Sequence, residues 1–291
     1  MPYLLFISSK EHSNFSFSDF LEGIPSTRHS RRSFNDFYCT AFELENQLEN
    51  DDLKKIKQTS SKYNLDVLYI QHFLSSEKPT FFAFDMDSTL INQEVIDEIA
   101  KFNEVYDEVA RVTEMAMQGE MDFDTALRER CKFLKDIRIE SLDLLYQKLS
   151  LQWGVREFLA EISLFPHKKV ILSGGFTQIL KRFAREYGFD SFRANVLEVI
   201  DGKLTGNLLG EIVNQKLKQE AFLSLYKEFG VEKSQTVALG DGSNDFNMLS
   251  EAEFGIGFHP KEGLKKKLVN CLEHSPMYAI LFLFEKEGWN D

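Results

Sequence analysis

The chain has 291 residues, 43% of them hydrophobic, and a formal net charge of −12 from 34 basic against 46 acidic residues. That length and apolar content suffice for a sizeable core, in one large domain or two modest ones. The acidic balance leaves no basic field to gather nucleic acid or an anionic membrane, and any phosphate-handling site must concentrate its own positive charge.

At the N-terminus, "MPYLLFISSKEHS" has no basic residue ahead of a short apolar stretch, so it reads as a strand and not as a secretory leader. "FNDFYCTAF" and "LDVLYIQHF" read as further strands and "NDDLKKIKQTSSKYN" as a helix, which makes residues 1–78 a small α+β module. "SSEKPT" has the Ser, Lys and Pro of a linker. Cys39, Cys131 and Cys271 are far apart and odd in number, which argues against a disulfide framework or a structural zinc site and fits a reducing cytoplasm.

From "TFFAF" onward short apolar runs alternate with amphipathic ones, as in "KKVILSGG" followed by "FTQILKRFAREYGF", and "AFLSLYKEFG" followed by "QTVALGDG". Continuous apolar runs suit strands covered on both faces, and helical periods suit crossovers, so residues 79–93 and 153–291 are expected to form an α/β core around a doubly wound parallel sheet. Residues 94–152 have neither proline nor a strand run and read as several helices inserted above the carboxyl edge of the sheet. Such an insertion is either a lid or an appendage that covers apolar surface, and its position favours the lid. Gly119 and Gly154 are candidate helix terminators. Near the C-terminus "YAILFLF" is the densest apolar run, far short of the roughly 20 residues that span a bilayer.

Three predicted strand ends carry the chemistry. Asp85 and Asp87, two apart at the end of "FFAF", can aim their carboxylates into one cavity. Two such carboxylates repel each other unless a hard divalent cation with oxygen ligands relieves them, and Mg2+ is the natural candidate. A second buried strand ends in "GDGSNDF", so Asp85, Asp241 and the Asp87 backbone carbonyl can complete a metal site supported by Asp245. The third ends in "SGGF", where Ser173, Gly174 and Gly175 form either a phosphate cradle or an ordinary glycine turn. "DMDST" alone could equally cap a helix, but capping does not require Asp85, and three such strand ends in order favour a catalytic site.

With those stretches in hand, the chain resembles the haloacid dehalogenase-like phosphatases, and within them the phosphoserine phosphatases. "FDMDSTLINQEVIDEIA", "VTEMAMQGEMDFDTALRERCKFL", "LSGGF", "NVLEVIDGKLTGNLLGEIV" and "LGDGSNDFNML" follow that pattern in order across most of residues 80–258. The resemblance implies a Rossmann-like core with a helical cap and a cytoplasmic, Mg2+-dependent phosphomonoesterase that hydrolyses O-phosphoserine to serine and phosphate through an aspartyl-phosphate, the last step of serine synthesis. In it Asp85 would be the nucleophile and Asp87 the general acid and base, with Ser173, Gly174 and Lys218 on the phosphate. Glu94 would meet a substrate ammonium and Arg130 a carboxylate, while Met117 and Phe123 form apolar walls and Gly175 and Asn244 complete the substrate site. Asp85, Asp87 and Asp241 would hold the metal, with Asp245 in support. Lys216 lies near enough to Lys218 to share its motif match, and Asn214 stands where the family often has Asp. "HPKEGLKKK" departs from the family's usual run, with little effect expected on chemistry. The alternatives are a related enzyme acting on phosphothreonine, homoserine phosphate or phosphoethanolamine, or a receiver-like phospho-acceptor that is not an enzyme. The N-terminal module loosely resembles the ligand-binding or dimerising extensions that some bacterial members carry, which implies either a regulatory role or a homodimer.

Overall fold

A computed structural model describes residues 1–12 and 15–285. The chain forms two compact units: Met1–Thr80 with Trp153–His167 and the chain from Val231 onward, and Phe81–Gln152 with Lys168–Gly230.

The first unit begins with β1 (Tyr3–Ser9), α1 (Ser18–Leu21), β2 (Ser26–Phe34), β3 (Phe37–Leu44), α2 (Asn50–Ser61) and β4 (Asp66–Ile70), whose strands make an antiparallel sheet in the order β2-β3-β1-β4. Its core is aromatic and aliphatic, with Leu4, Phe6, Phe20, Phe42, Ile56 and Val67 all buried. "FNDFYCTAF", expected as one strand, is instead a hairpin turn followed by β3, with Asn35 in the left-handed region at φ 47°. The polar segment "STRHSRRSF" forms β2, which shows no apolar alternation because it is an outer strand of this sheet. Its buried Arg32 donates from Nη2 to the Phe282 carbonyl at 2.8 Å, and the Asp66 carboxylate accepts from the Glu273 and His274 N–H groups at 2.8 and 3.0 Å.

In the second unit β5 (Phe81–Phe84), β6 (Lys168–Phe176) and β7 (Ser191–Ile200) run parallel, with Phe84 level with Ile171. All four β5 residues are buried, which explains the unbroken apolar run. β8 (Lys203–Leu209) returns antiparallel to β7 and departs from the all-parallel expectation, because Asp201 and Gly202, at φ 51° and 73°, make the two-residue turn of a tight hairpin. Between β5 and β6 lie α3 (Val95–Phe102), α4 (Tyr106–Met117), α5 (Phe123–Lys132) and α6 (Glu140–Tyr146), the helices expected over 94–152. Gly119, at φ 81°, follows α4 as a terminator. Gly154 does the opposite: at φ 77° it precedes α7 (Val155–Ile162) of the first unit, and a Cβ there would lie 2.5 Å from Pro276 Cβ. Two further helices, α8 (Thr177–Glu186) and α9 (Gln215–Glu228), follow β6 and β8.

The first unit resumes with β9 (Thr236–Gly240), α10 (Phe246–Glu251), β10 (Phe254–Phe258), α11 (Glu262–Lys265) and β11 (Asn270–Leu272), whose three strands are parallel. "YAILFLF", up to Leu283, lies in a largely buried 3-10 stretch, Met277–Leu283, and no helix among the described residues is long and apolar enough to cross a membrane.

Candidate active site

β5 ends in a loop that uses its polar atoms in pairs. Asp85 Oδ1 accepts from the Met86 N–H at 2.8 Å and meets Lys218 Nζ at 2.9 Å, and the lysine side chain is completely buried. A buried ammonium needs an anionic partner, and a buried carboxylate a cationic one, so each stabilises the charged form of the other. Asp87 splits its oxygens: Oδ2 accepts from the Val95 N–H at 3.1 Å and thereby caps α3, while Oδ1 is buried with no hydrogen-bond partner among the described residues. Burial, with the Glu94 and Asp85 carboxylates nearby, raises the Asp87 carboxyl well above its ordinary value, against the opposing pull of the Val95 N–H and Lys218. The cap thus occupies one oxygen of the side chain and leaves the other without a hydrogen bond among the described residues.

Ser173, Gly174 and Gly175 close β6 beside this loop. The Ser173 Oγ accepts from the Gly175 N–H at 2.9 Å, and a Cβ at Gly175 would lie 3.1 Å from that Oγ and 3.6 Å from Asp87 Oδ1. Glycine therefore keeps this loop open toward Asp87. The Gly174 carbonyl accepts from Asn195 Nδ2 at 2.7 Å, and Asn195 Oδ1 accepts from the Val213 N–H at 2.9 Å. Asn195, on β7, is 2% exposed and ties the cradle to the segment leading into the lysine-bearing helix. Sequence reasoning assigned it no role, although it opens the stretch "NVLEVIDGKLTGNLLGEIV", because an asparagine in a strand says nothing locally of what it bonds.

The residues expected to hold an amino acid gather in the same unit. Glu94 Oε1 accepts from Ser88 Oγ at 2.9 Å, with Ser88 in the left-handed region at φ 57°. Arg130 on α5 loses proton affinity through burial, and the nearby Cys131, Asp97, Glu94 and Asp87 oppose that loss. Its Nε is buried with no hydrogen-bond partner among the described residues. Phe123 opens α5, and a Cβ at Gly174 would stand 3.2 Å from its Cζ. Met117 is the last residue of α4, and its side chain lies outside the described set. Lys216 is separate from this group, 80% exposed and 3.6 Å from Glu220, so Lys218 is the lysine beside Asp85.

The first unit holds the other acidic strand end. Asp241, directly after β9, is 3% exposed and meets Lys261 Nζ at 2.9 Å. Asp245 Oδ2 accepts from the Gly242 N–H at 3.1 Å, and a Cβ at Gly240 would come within 2.5 Å of Asp245 Cγ, so only glycine lets that carboxylate approach the strand. Asn244 sits in the same 3-10 turn, Ser243–Asp245. Lys261 lies in the "HPKEGLKKK" run that was expected to matter little, and its place three residues after β10 carries no motif that would have singled it out. Asp241 and Asp245 are buried carboxylates able to serve as metal ligands, oxygen donors suited to a hard cation.

The model of the haloacid dehalogenase-like hydrolases matches residues 80–253. The chain belongs to that family. Within it, the phosphoserine phosphatase of Vibrio cholerae is 41% identical over 217 residues, 75% of this chain and 66% of that protein, so the chain spans just under two thirds of this relative. The phosphoserine phosphatase of Saccharomyces cerevisiae is 37% identical over 257 residues, 86% of this chain and 81% of that protein. Among solved structures, a haloacid dehalogenase-family hydrolase of Salmonella enterica serovar Typhi superposes with a TM-score of 0.88 at 25% identity, over 99% of this chain and 100% of that one. The family's α/β core of mixed, largely parallel strands is the architecture described above, and the N-terminal antiparallel sheet is additional to it, ahead of the matched residues.

Proposed function

We propose that this protein is a phosphoserine phosphatase that hydrolyses O-phospho-L-serine to L-serine and phosphate, the step that ends serine synthesis. The observation that carries the reading is the fully buried Lys218, 2.9 Å from Asp85 on a loop flanked by the Ser173–Gly175 cradle. Surface lysines have no reason to be there, whereas a charge fixed beside a nucleophilic carboxylate offsets the charge of an incoming phosphoryl group.

Asp85 attacks phosphorus in line and forms an aspartyl-phosphate. Asp87, whose Oδ1 makes no hydrogen bond among the described residues, would give a proton to the leaving serine oxygen and then take one from the attacking water. Ser173 Oγ, the Gly174 backbone and Lys218 Nζ hold the phosphoryl oxygens. Asp85, the Asp87 carbonyl and Asp241 would hold Mg2+, with Asp245 orienting the set, and the ion would supply Lewis-acid charge on a phosphoryl oxygen. Glu94, held by Ser88, suits the substrate ammonium, and the Arg130 guanidinium suits the carboxylate. Phe123 would be an apolar wall, with Gly175 and Asn244 completing the site. Residues 94–152 act as a cap that closes over the substrate and excludes bulk water, residues 79–93 and 153–291 as the catalytic core, and residues 1–78 as a module that pairs two copies or senses a ligand. A cytoplasmic location follows from a soluble metabolic substrate.

Purified protein should release phosphate from phosphoserine in the presence of Mg2+, and Asp85→Asn should abolish turnover. Near-normal activity in that variant overturns the nucleophile assignment. In a substrate panel, phosphoethanolamine, which has no carboxylate for Arg130, should be the poorer substrate. Preference for it would replace the amino-acid reading with the phosphoester alternative.

A further inference from the structure

Asn214 divides its side chain between two elements. Its Oδ1 accepts from the Lys216 and Leu217 N–H groups, both at 3.1 Å, and so caps α9. Its Nδ2 reaches both oxygens of Asp124, each at 3.1 Å. Asp124 is the second residue of α5, next to Phe123, whose ring bounds Gly174. One residue before Asn214, the Val213 N–H donates to Asn195, which holds the Gly174 carbonyl. The contacts therefore run in a circuit from the phosphate cradle through Asn195 and Asn214 to α5 and back to the cradle.

We propose that Asn214 is a positioning residue that docks α5, with Phe123 and Arg130, onto the start of the lysine-bearing α9. The inference rests on the phosphatase reading for its consequence in turnover, and on the hydrogen bonds alone for the docking. Helix capping does not explain an amide here, since Asp caps as well as Asn and complements the helix dipole at least as well. An aspartate at 214 would instead set two carboxylates against each other, where the amide supplies the donor that Asp124 needs. The choice of Asn over Asp is thus dictated by the α5 side of the contact. Because its α5 side carries Phe123 and Arg130, the contact acts on how the amino-acid end of the substrate is enclosed.

The test is Asn214→Asp in the full-length protein. It retains the α9 cap but loses the donor, so amide hydrogen exchange should accelerate across α5 while α9 stays protected. The KM for phosphoserine should rise by about 10- to 100-fold, with a smaller change in kcat, as expected when a substrate-positioning element is displaced. Adding Asp124→Asn returns a donor facing an acceptor, so the double variant should recover both α5 protection and KM. Unchanged α5 exchange in Asn214→Asp, or a double variant no better than the single one, overturns the proposal. If α5 responds and is rescued while neither parent nor variant hydrolyses phosphoserine, the docking role stands and the substrate reading fails.

Discussion

The two acidic strand ends are built from the same parts and finished differently. After β5, Asp85 is paired with a lysine that is 0% exposed, whereas after β9, Asp241 is paired with a lysine whose side chain is 61% exposed. A fully buried ammonium has no water to retreat into, so Lys218, on α9, is a permanent partner of the Asp85 loop. An exposed lysine on a flexible stem can leave for solvent at small cost and release its carboxylate to another cation. Burial of the partner, more than the distance between charges, separates a fixed electrostatic element from an exchangeable one.

The largest expected effect comes from breaking the buried pair. Lys218→Met keeps the volume of the side chain but removes its charge beside Asp85, and chemical denaturation should show a loss of about 3–5 kcal/mol. Phosphate release should fall at least about 100-fold, as for loss of one transition-state charge contact. An unchanged denaturation midpoint would mean that Asp85 is neutral in the native state. A smaller effect distinguishes the strand beginnings. Ahead of β5 the Thr80 N–H donates to His167 Nδ1 at 3.0 Å, while β9 opens on Thr236, whose Oγ1 donates to the Lys233 carbonyl at 2.7 Å and cannot titrate. Burial lowers His167 from 6.5 to about 4. The unfolded chain therefore binds the extra proton first, so stability is complete above about pH 6.5 and is lost as pH falls toward 4. Because the ring is half-exposed, wild type should lose only about 1 kcal/mol more than His167→Gln between pH 7 and 5. Parallel losses in urea titrations at the two pH values would remove His167 as the cause.

The parts of the molecule that were legible in the sequence are those where local pattern and burial coincide. "FFAF", "KKVIL" and "TVALG" are strands because buried parallel strands need continuous apolar residues, and the acids and glycines beyond them mark the strand ends. β2 escaped notice because an outer strand can carry Arg and Ser, and one of those arginines, Arg32, is buried by carbonyls from residues about 250 positions away. Gly154 looked like a helix end but begins a helix, since a glycine at positive φ serves either role and only the packing of Pro276 against it decides. Within the candidate site, residue types and motif spacing pointed to Asp85, Asp87 and Ser173, whereas Asn195 and Lys261 act through partners distant in the chain. Asparagine and lysine are common, and a polar residue whose role is set by tertiary contact leaves no periodic trace.

Lys261 gives the smallest and most discriminating effect. If the exposed pair is exchangeable, Lys261→Ala should change stability by less than about 1 kcal/mol, as surface ion pairs do. Its consequence should appear in metal dependence instead. With the ammonium gone, Asp241 no longer has that competing cation, so the Mg2+ concentration giving half-maximal phosphatase activity should fall while activity at saturating Mg2+ stays near wild type. The opposite shift would assign Lys261 a supporting role in holding Asp241 for the ion, and the two strand ends would then be alike in function despite their difference in burial.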